Sequence, residues 1–525
     1  MIRALLYLCC LTPLAAGLCG CTTLRTYVNN GFKVGPKYET PPAPVAKDWI
    51  DADDKRVRKE DDDHSKWWVV FNDPVLNQLI CTAYKQNLTL RQAGYRILAA
   101  KAQLGYSVGE LFPQTQQAIG DYNRIARSIK TANAQFIPKR SYGQYDFGFS
   151  LAWEIDFWGR FRCAVDSASA NLEASVADYD DVLVTLLSEV ATSYVQIRVA
   201  QQRIKYANDN VALQLKSVKV VENRKQAGVA KQLDVDQAKS VLYQTWAAVP
   251  ELEIGLRMST NQLCILMGMP TEELLKKLGP APIPTAPVDV AVGVPADLLR
   301  RRPDVRRAER QAAAQCALIG VAESDFYPHI SLSGTLTYSA ELFKDLFTPR
   351  AITMTAGPNF TWNILNYGRI LNNVRLQDAT FQQLVVAYQN TVLSAHQEAE
   401  NGLVTFLKAQ QRAKLQGDCV KYAESAVKTV LAQYELGTVD ISQLILVMQN
   451  LVPQQDTLAI AQGEIPAGLI QVFKAMGGGW QLRLNDCDPN SGPLQLCPTP
   501  EEQLPPPPPA PQPATIGMPE LLPPS

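Results

Sequence analysis

Residues 144–157 read Gln-Tyr-Asp-Phe-Gly-Phe-Ser-Leu-Ala-Trp-Glu-Ile-Asp-Phe, and they alternate without a fault. Tyr145, Phe147, Phe149, Leu151, Trp153, Ile155 and Phe157 share one face, while Gln144, Asp146, Gly148, Ser150, Ala152, Glu154 and Asp156 share the other. A period of two predicts a strand with one apolar and one polar side. The same device recurs from Ile352 to Ile364, where Met354, Phe360 and Trp362 oppose Thr353, Thr355 and Thr361. Ile330 to Tyr338 alternates as well, and a weaker counterpart lies around Thr115 to Asn123. A soluble sandwich with one buried face would alternate in this way too. Membrane strands need about 9 to 11 residues with lipid on one side and water on the other, and aromatic residues at both strand ends favour that reading. Two hairpins give four strands, which cannot close. An open edge in hydrocarbon is prohibitively costly, so several chains must pool their strands into one barrel.

Outward from these strands the chain repeats itself. Trp158-Gly159-Arg160 is echoed by Tyr367-Gly368-Arg369, an offset of 368 − 159 = 209. The same offset joins Trp153 to Trp362, Glu189 to Glu398, Ala200-Gln201-Gln202-Arg203 to Ala409-Gln410-Gln411-Arg412, Gly228 to Gly437, and Met267-Gly268 to Met476-Gly477. A single register over more than a hundred residues (158 to 268) implies a tandem duplication, far longer than any solenoid unit.

After each predicted hairpin the period turns helical. Phe381, Val385, Tyr388, Val392, Ala395, Ala399, Leu403 and Phe406 step by fours and threes, which is a coiled-coil seam. The helices break only at Gly228 and Gly437, midway to the next Gly/Pro cluster. A long helix therefore runs away from the strands, turns and returns, and such hairpins must pack side by side to bury their seams.

The leader carries Arg3, an apolar run from Ala4 to Leu18, and Leu18-Cys19-Gly20-Cys21. That run is too short for a bilayer span and reads as an export signal over residues 1–20. Its ending resembles the bacterial lipobox, which makes Cys21 the expected lipidated N-terminus, and Thr22 after it implies outer-membrane sorting. The covalent lipid is the only attached group expected; no cofactor or metal is. Beyond Cys21 no stretch reaches about 18 apolar residues. The 50 Lys and Arg against 51 Asp and Glu give no sign of nucleic acid as a partner. Of eleven cysteines, Cys81, Cys163, Cys264, Cys316 and Cys419 lie singly in predicted helices, where a small buried apolar side chain is the expectation. Cys487 and Cys497 share a loop-like tail and are a possible disulfide in an oxidising periplasm.

Several runs carry a family resemblance. Val34-Gly35-Pro36-Lys37-Tyr38, Trp67-Trp68 through Phe71-Asn72-Asp73-Pro74, Trp153 to Arg160, Leu298 to Val305, Phe326-Tyr327-Pro328 and Gly357-Pro358 through Gly368-Arg369 together resemble the TolC-like outer-membrane factors of efflux pumps, in particular the NodT-type lipoproteins. The resemblance covers roughly residues 21–480. It implies a mainly α chain with membrane β: a homotrimer whose four strands per chain build a twelve-stranded barrel in the outer membrane, above a twelve-helix periplasmic tunnel. It implies a passive export duct, anchored in outer-membrane lipid and completed by a periplasmic adaptor and an inner-membrane transporter of RND or ABC type. The expected organisation is a lipidated linker (21–66), two repeats (67–280 and 281–480) and a Pro-rich tail (481–525). The stretch 51–66, with Asp61-Asp62-Asp63 and interleaved basic residues, reads as a solvated linker.

In such proteins the hairpin turns look like docking points for adaptor hairpins, here Gly228-Val229 and Gly437-Thr438. Glycine there also simply permits a left-handed turn. The family commonly carries acidic residues six and nine positions after the second glycine. This chain has Gln443 and Leu446 there, with Asp440 nearer the turn and Asp234 and Asp236 in the first copy. An apolar Leu446 constriction supplemented by Asp234 is therefore the expected gate. No GxSxG, HExxH or phosphate-binding glycine loop supports an enzyme. The Arg300-Arg301-Arg302 run before Pro303-Asp304 reads as a helix start with paired charges. A lipidated periplasmic coiled-coil adaptor would share the helical hairpins but not the duplicated membrane-length strands.

Overall fold

A computed structural model describes residues 24–60, 63–130, 132, 136, 138–293, 295–296 and 301–485. Cys21, Asp61, Asp62, Arg300, Cys487, Cys497 and the proline run lie outside them. In chain order the elements are α1 (Leu24–Asn29), β1 (Val57–Arg58), a 3-10 helix (His64–Phe71), α2 (Pro74–Gln86), α3 (Leu88–Gly109), β2 (Thr115–Ala126) and β3 (Ser141–Glu154). Then follow α4 (Arg160–Gln226), α5 (Gln232–Leu266), α6 (Leu274–Leu278), β4 (Val290–Ala291), α7 (Pro303–Ser324), β5 (His329–Ala340), β6 (Ile352–Thr361), α8 (Arg369–Glu435), α9 (Ile441–Ala475) and α10 (Leu482–Asn485).

The duplication is visible in the element boundaries. α4 and α8 each hold 67 residues and α5 and α9 each hold 35. Their first and last residues all stand 209 apart, as 369 − 160 and 475 − 266 show. Upstream the register slips: α3 and α7 are both 22 residues long but stand 303 − 88 = 215 apart. The first hairpin loop, residues 127–140, is longer than the second, residues 341–351. At a rise of about 1.5 Å per residue α4 and α8 are about 100 Å long.

Strands β2, β3, β5 and β6 form one antiparallel sheet in that order. The register places Phe149 opposite Ala118 and Leu336, and Leu336 opposite Met354, so one row crosses the sheet on the apolar side. The adjacent row, Gln117, Ser150, Thr335 and Thr355, is polar. The weak alternation around Thr115 belongs to a full twelve-residue strand, β2. The row that faces Leu151, Phe149, Phe147 and Tyr145 holds Gln116, Ala118, Gly120, Tyr122 and Arg124, so large apolar residues do not recur along it. Strand β3 ends at Glu154, before the Phe157 of the alternating run, because Asp156 turns back: its carboxylate accepts from the Phe161 and Arg162 amides and caps α4. Trp158 stacks on Tyr327 (4.5 Å) and lies 5.7 Å from the ring of Tyr27 in α1. These rings mark the helix end of the sheet.

The main core lies where the hairpins meet the short helices. Trp67, Trp68 and Phe71 pack there with Leu187, Phe406 and Leu469. α7 packs against both α4 and α8. Its start bears out at Arg302 the reading of a helix start with paired charges: Pro303 opens the helix, and buried Arg302 bonds Asp304 (2.8 Å), Glu398 (2.7 Å) and the Ala475 carbonyl (2.8 Å). Burial pushes the Asp304 carboxyl up, but the hydrogen bonds and charge of Arg302 outweigh it and leave the group below its ordinary range. One turn on, Arg306 and Arg483 both bind the fully buried Asp180.

Three expectations need correction. Residues 51–60 are no free linker: Val57 and Arg58 pair in parallel with Val290 and Ala291, and Arg56 donates to the Leu407 carbonyl (3.0 Å). The apolar Trp49 and Val57 anchor that segment in the core, which outweighs its charged neighbours. Cys419 is exposed, and Cys81 is half-buried, whereas Cys163, Cys264 and Cys316 are buried as expected. Finally, α4 does contain an 18-residue window apolar enough to cross a membrane (mean hydropathy 1.3), but 67% of that window is buried inside the protein, so it is a core helix.

Candidate functional site at the far end of the helical hairpins

Both long hairpins end in the same turn. In the first, the Gly228 amide donates to the Lys225 carbonyl (2.9 Å) and the Val229 amide to the Arg224 carbonyl (3.0 Å). In the second, Gly437 donates to Tyr434 (3.0 Å) and Thr438 to Gln433 (3.0 Å). This 5→2 and 6→1 pairing is the Schellman motif, which requires a left-handed residue after the helix. Gly228 and Gly437 both supply it at φ +78°. The turns thus hold Val229 and Thr438 out into solvent, and Val229 is 66% exposed. Beneath them a separate apolar cluster joins the two hairpins, with Val221, Val235, Val427, Tyr434, Ile441 and Leu444 at its centre.

The expected gate residues all lie within three turns of these glycines, and their environments differ. Asp234 accepts from the Lys231 amide (2.8 Å), so its carboxylate caps α5. Asp236 accepts from Gln232 (2.7 Å). Asp440 is exposed and takes the N-cap backbone position of α9 without a side-chain bond to the helix. Gln443 and Leu446 lie one turn apart on α9, both exposed, and Leu446 is 67% open. Gln443 is the repeat equivalent of Asp234, since 443 − 234 = 209.

Two residues that the sequence reading missed tie the turns together. The Arg224 guanidinium of α4 donates to the Tyr434 carbonyl of α8 and sits 4.7 Å above the Tyr434 ring. It also packs on Gly437, where a Cβ would stand 3.4 Å from Arg224 Nη2. Burial raises the Tyr434 phenol above its usual pKa, Arg224 opposing the shift and Asp234 adding to it. The signal was in the repeat, because position 433, the equivalent of Arg224, is Gln.

The profile of the outer membrane efflux protein family matches residues 79–269 and 294–478, one match per repeat. The chain belongs to the outer membrane efflux protein family. Nodulation protein T of Rhizobium leguminosarum bv. viciae is 28% identical to this efflux protein, with 85% of this chain and 90% of the relative aligned. The pyoverdine export outer membrane protein OpmQ of Pseudomonas putida is also 28% identical, over 90% of this chain and 97% of its own length. The solved outer-membrane channel OprN superposes with a TM-score of 0.80 at 32% identity, covering 85% of this chain and 99% of that channel. This efflux protein is accordingly the outer-membrane channel of a tripartite efflux system, a passive duct that extends into the periplasm. Its family is trimeric and works with adaptors and inner-membrane transporters. The four strands per chain are the third of a barrel that the sequence reading required. Nothing in these relatives supports the adaptor alternative.

Proposed function

We propose that the two Schellman turns are the adaptor-docking tips of this channel and that Leu446, with Gln443 one turn before it, forms its periplasmic constriction. The observation behind this reading is geometric. About 100 Å of helix ends in two identical glycine turns that present Val229 and Thr438 outward, with an exposed leucine three turns behind the second. Three copies of Leu446 facing one axis would seal the tunnel by dewetting, whereas Asp234 is engaged at its helix cap. Single-channel conductance of Leu446→Ala trimers in planar bilayers should rise; conductance equal to wild type would refute the constriction.

The lipid is proposed on Cys21, three residues before α1. That spacing reaches at most about 11 Å, and α1 docks at the end of the sheet, where Tyr27 donates to the Phe157 carbonyl (2.8 Å). A lipid at Cys21 therefore has a bilayer within reach. The relative SilC is named a probable outer membrane lipoprotein, which agrees with this reading. The transporter that feeds the duct is proposed to be of RND or ABC type. Relatives are named for pyoverdine export and toluene efflux, so the duct architecture alone sets no single cargo.

A further inference from the structure

The end of the sheet farthest from the helices carries a charge that the chain as a whole does not. Residues 123–144 hold Arg124, Arg127, Lys130, Lys139 and Arg140 and no acidic residue, and residues 339–352 add Lys344 and Arg350 against Glu341 and Asp345. The balance is 7 − 2 = +5, in a chain whose net charge is −1. Because the helices extend into the periplasm, this end of the sheet meets the outer leaflet and the outside.

The register sorts these cations by face. Arg127 turns to the polar face: its Nη2 donates to the Tyr142 hydroxyl (3.2 Å), and Tyr142 stands opposite Ile125. The nearest acids on the strands, Asp121 and Asp146, oppose each other on that same face, where Asn123 (3.0 Å) and Gln144 (2.9 Å) donate to them. Arg124 lies on the other, apolar face, two residues beyond Tyr122 and so about 7 Å farther out. Gly143 opposite it offers no side chain, and among the described residues no hydrogen bond or ion pair engages its exposed guanidinium.

On this apolar face the second loop folds back over the sheet. Phe343 lies 5.6 Å from the ring of Tyr145 and Phe347 5.6 Å from that of Phe147, while Tyr122 meets Tyr145 at 4.6 Å. Leu346 is buried, yet Leu342, Phe343 and Phe347 remain 52%, 63% and 60% exposed. Lys139 pairs with Glu341 and ties the first loop to the second. The result is an aromatic belt edged by three exposed cations, Arg124, Lys344 and Arg350.

We infer that Arg124, Lys344 and Arg350, together with Leu342, Phe343 and Phe347, dock the phosphorylated glycolipid of the outer leaflet. The cationic groups take its phosphates, and the apolar side chains lie against its acyl chains. A soluble anion needs no such apolar surface. A second copy of this chain closes the barrel through the edges β2 and β6, not through the face of the sheet. Arginine left in hydrocarbon is costly, and a lipid phosphate at this depth relieves that cost.

The inference rests on the apolar face of the sheet meeting lipid, and binding to purified trimers in neutral detergent, read by native mass spectrometry, tests it. The probes are bis-phosphorylated lipid A, the same lipid after dephosphorylation, and inorganic phosphate. Wild type should bind lipid A at least about tenfold more tightly than it binds the dephosphorylated form, and the combined Arg124→Ser, Lys344→Ser and Arg350→Ser variant should lose at least about tenfold. Phe343→Ser with Phe347→Ser should weaken binding as well, and Arg127→Ser should bind as wild type does. A triple variant that fails to assemble leaves the phosphate dependence measurable on wild type. Equal affinity of wild type for the two lipids, displacement of lipid A by inorganic phosphate, or loss of binding in Arg127→Ser but not in the triple variant would each overturn this docking surface. Normal wild-type conductance in planar bilayers alongside any of these would leave the channel itself standing.

Discussion

Asp180 shows how much can depend on a single side chain. Its carboxylate is fully buried on α4 and binds Arg306 of α7 (3.0 Å) and Arg483 of α10 (2.7 Å), joining segments 126 and 303 residues away. Both arginines are about one-third exposed, which reduces but does not remove the cost of stranding them. Loss of one partner from a buried pair costs about 3 to 5 kcal/mol, and the partial exposure places Asp180→Asn near the lower end. Asp48→Asn breaks a pair with Lys59 in which both side chains are more than half exposed, and the expected change there is within about 1 kcal/mol. Denaturant midpoints of the two purified variants should therefore differ clearly. Equal midpoints would mean that the Asp180 cluster contributes no more than a surface pair.

At the scale of elements the two hairpins look interchangeable, yet their turns are not. Gly228 and Gly437 share φ +78°, so alanine at either position carries the left-handed penalty of about 1 kcal/mol. Nothing stands within 4 Å of a Cβ at Gly228, whereas at Gly437 it meets the Arg224 guanidinium that clamps Tyr434. Gly437→Ala should thus disturb the contact between hairpins and raise single-channel conductance, while Gly228→Ala should leave conductance near wild type. A reversed order would show that the clamp plays no part in holding the tips. This difference also marks the limit of sequence reading. The alternation at 144–157 and the glycine breaks were legible because their causes are local: a pleated strand with two solvents and a turn needing positive φ. The Arg224 clamp was not legible, because its partner lies 210 positions on and only the mismatch with Gln433 within the repeat hints at it. Likewise β2 read weakly because Gln116, Gly120 and Arg124 interrupt its apolar row, and residues 51–60 read as linker because their charges outnumber the apolar anchors Val57 and the preceding Trp49.

For the whole molecule the decisive fact is an open sheet. β2 and β6 are its edges in the isolated chain, and neither can stay unpaired in hydrocarbon, so folding in the membrane and assembly are one process. The register separates the consequences of adjacent residues on β6. Met354 lies in the apolar row with Leu336 and Phe149, and Thr355 lies in the polar row with Thr335 and Ser150. Lysine near the bilayer midplane on a lipid face costs about 2 to 4 kcal/mol, and a trimer incurs that cost three times over. On the lumen face the same lysine stays in water. Met354→Lys should therefore deplete heat-resistant trimers in outer-membrane fractions, and Thr355→Lys should assemble normally while shifting the ion selectivity of the pore toward anions. If Thr355→Lys abolished assembly and Met354→Lys did not, the two faces of the sheet would have to be exchanged, and with them the assignment of lipid and lumen for every strand.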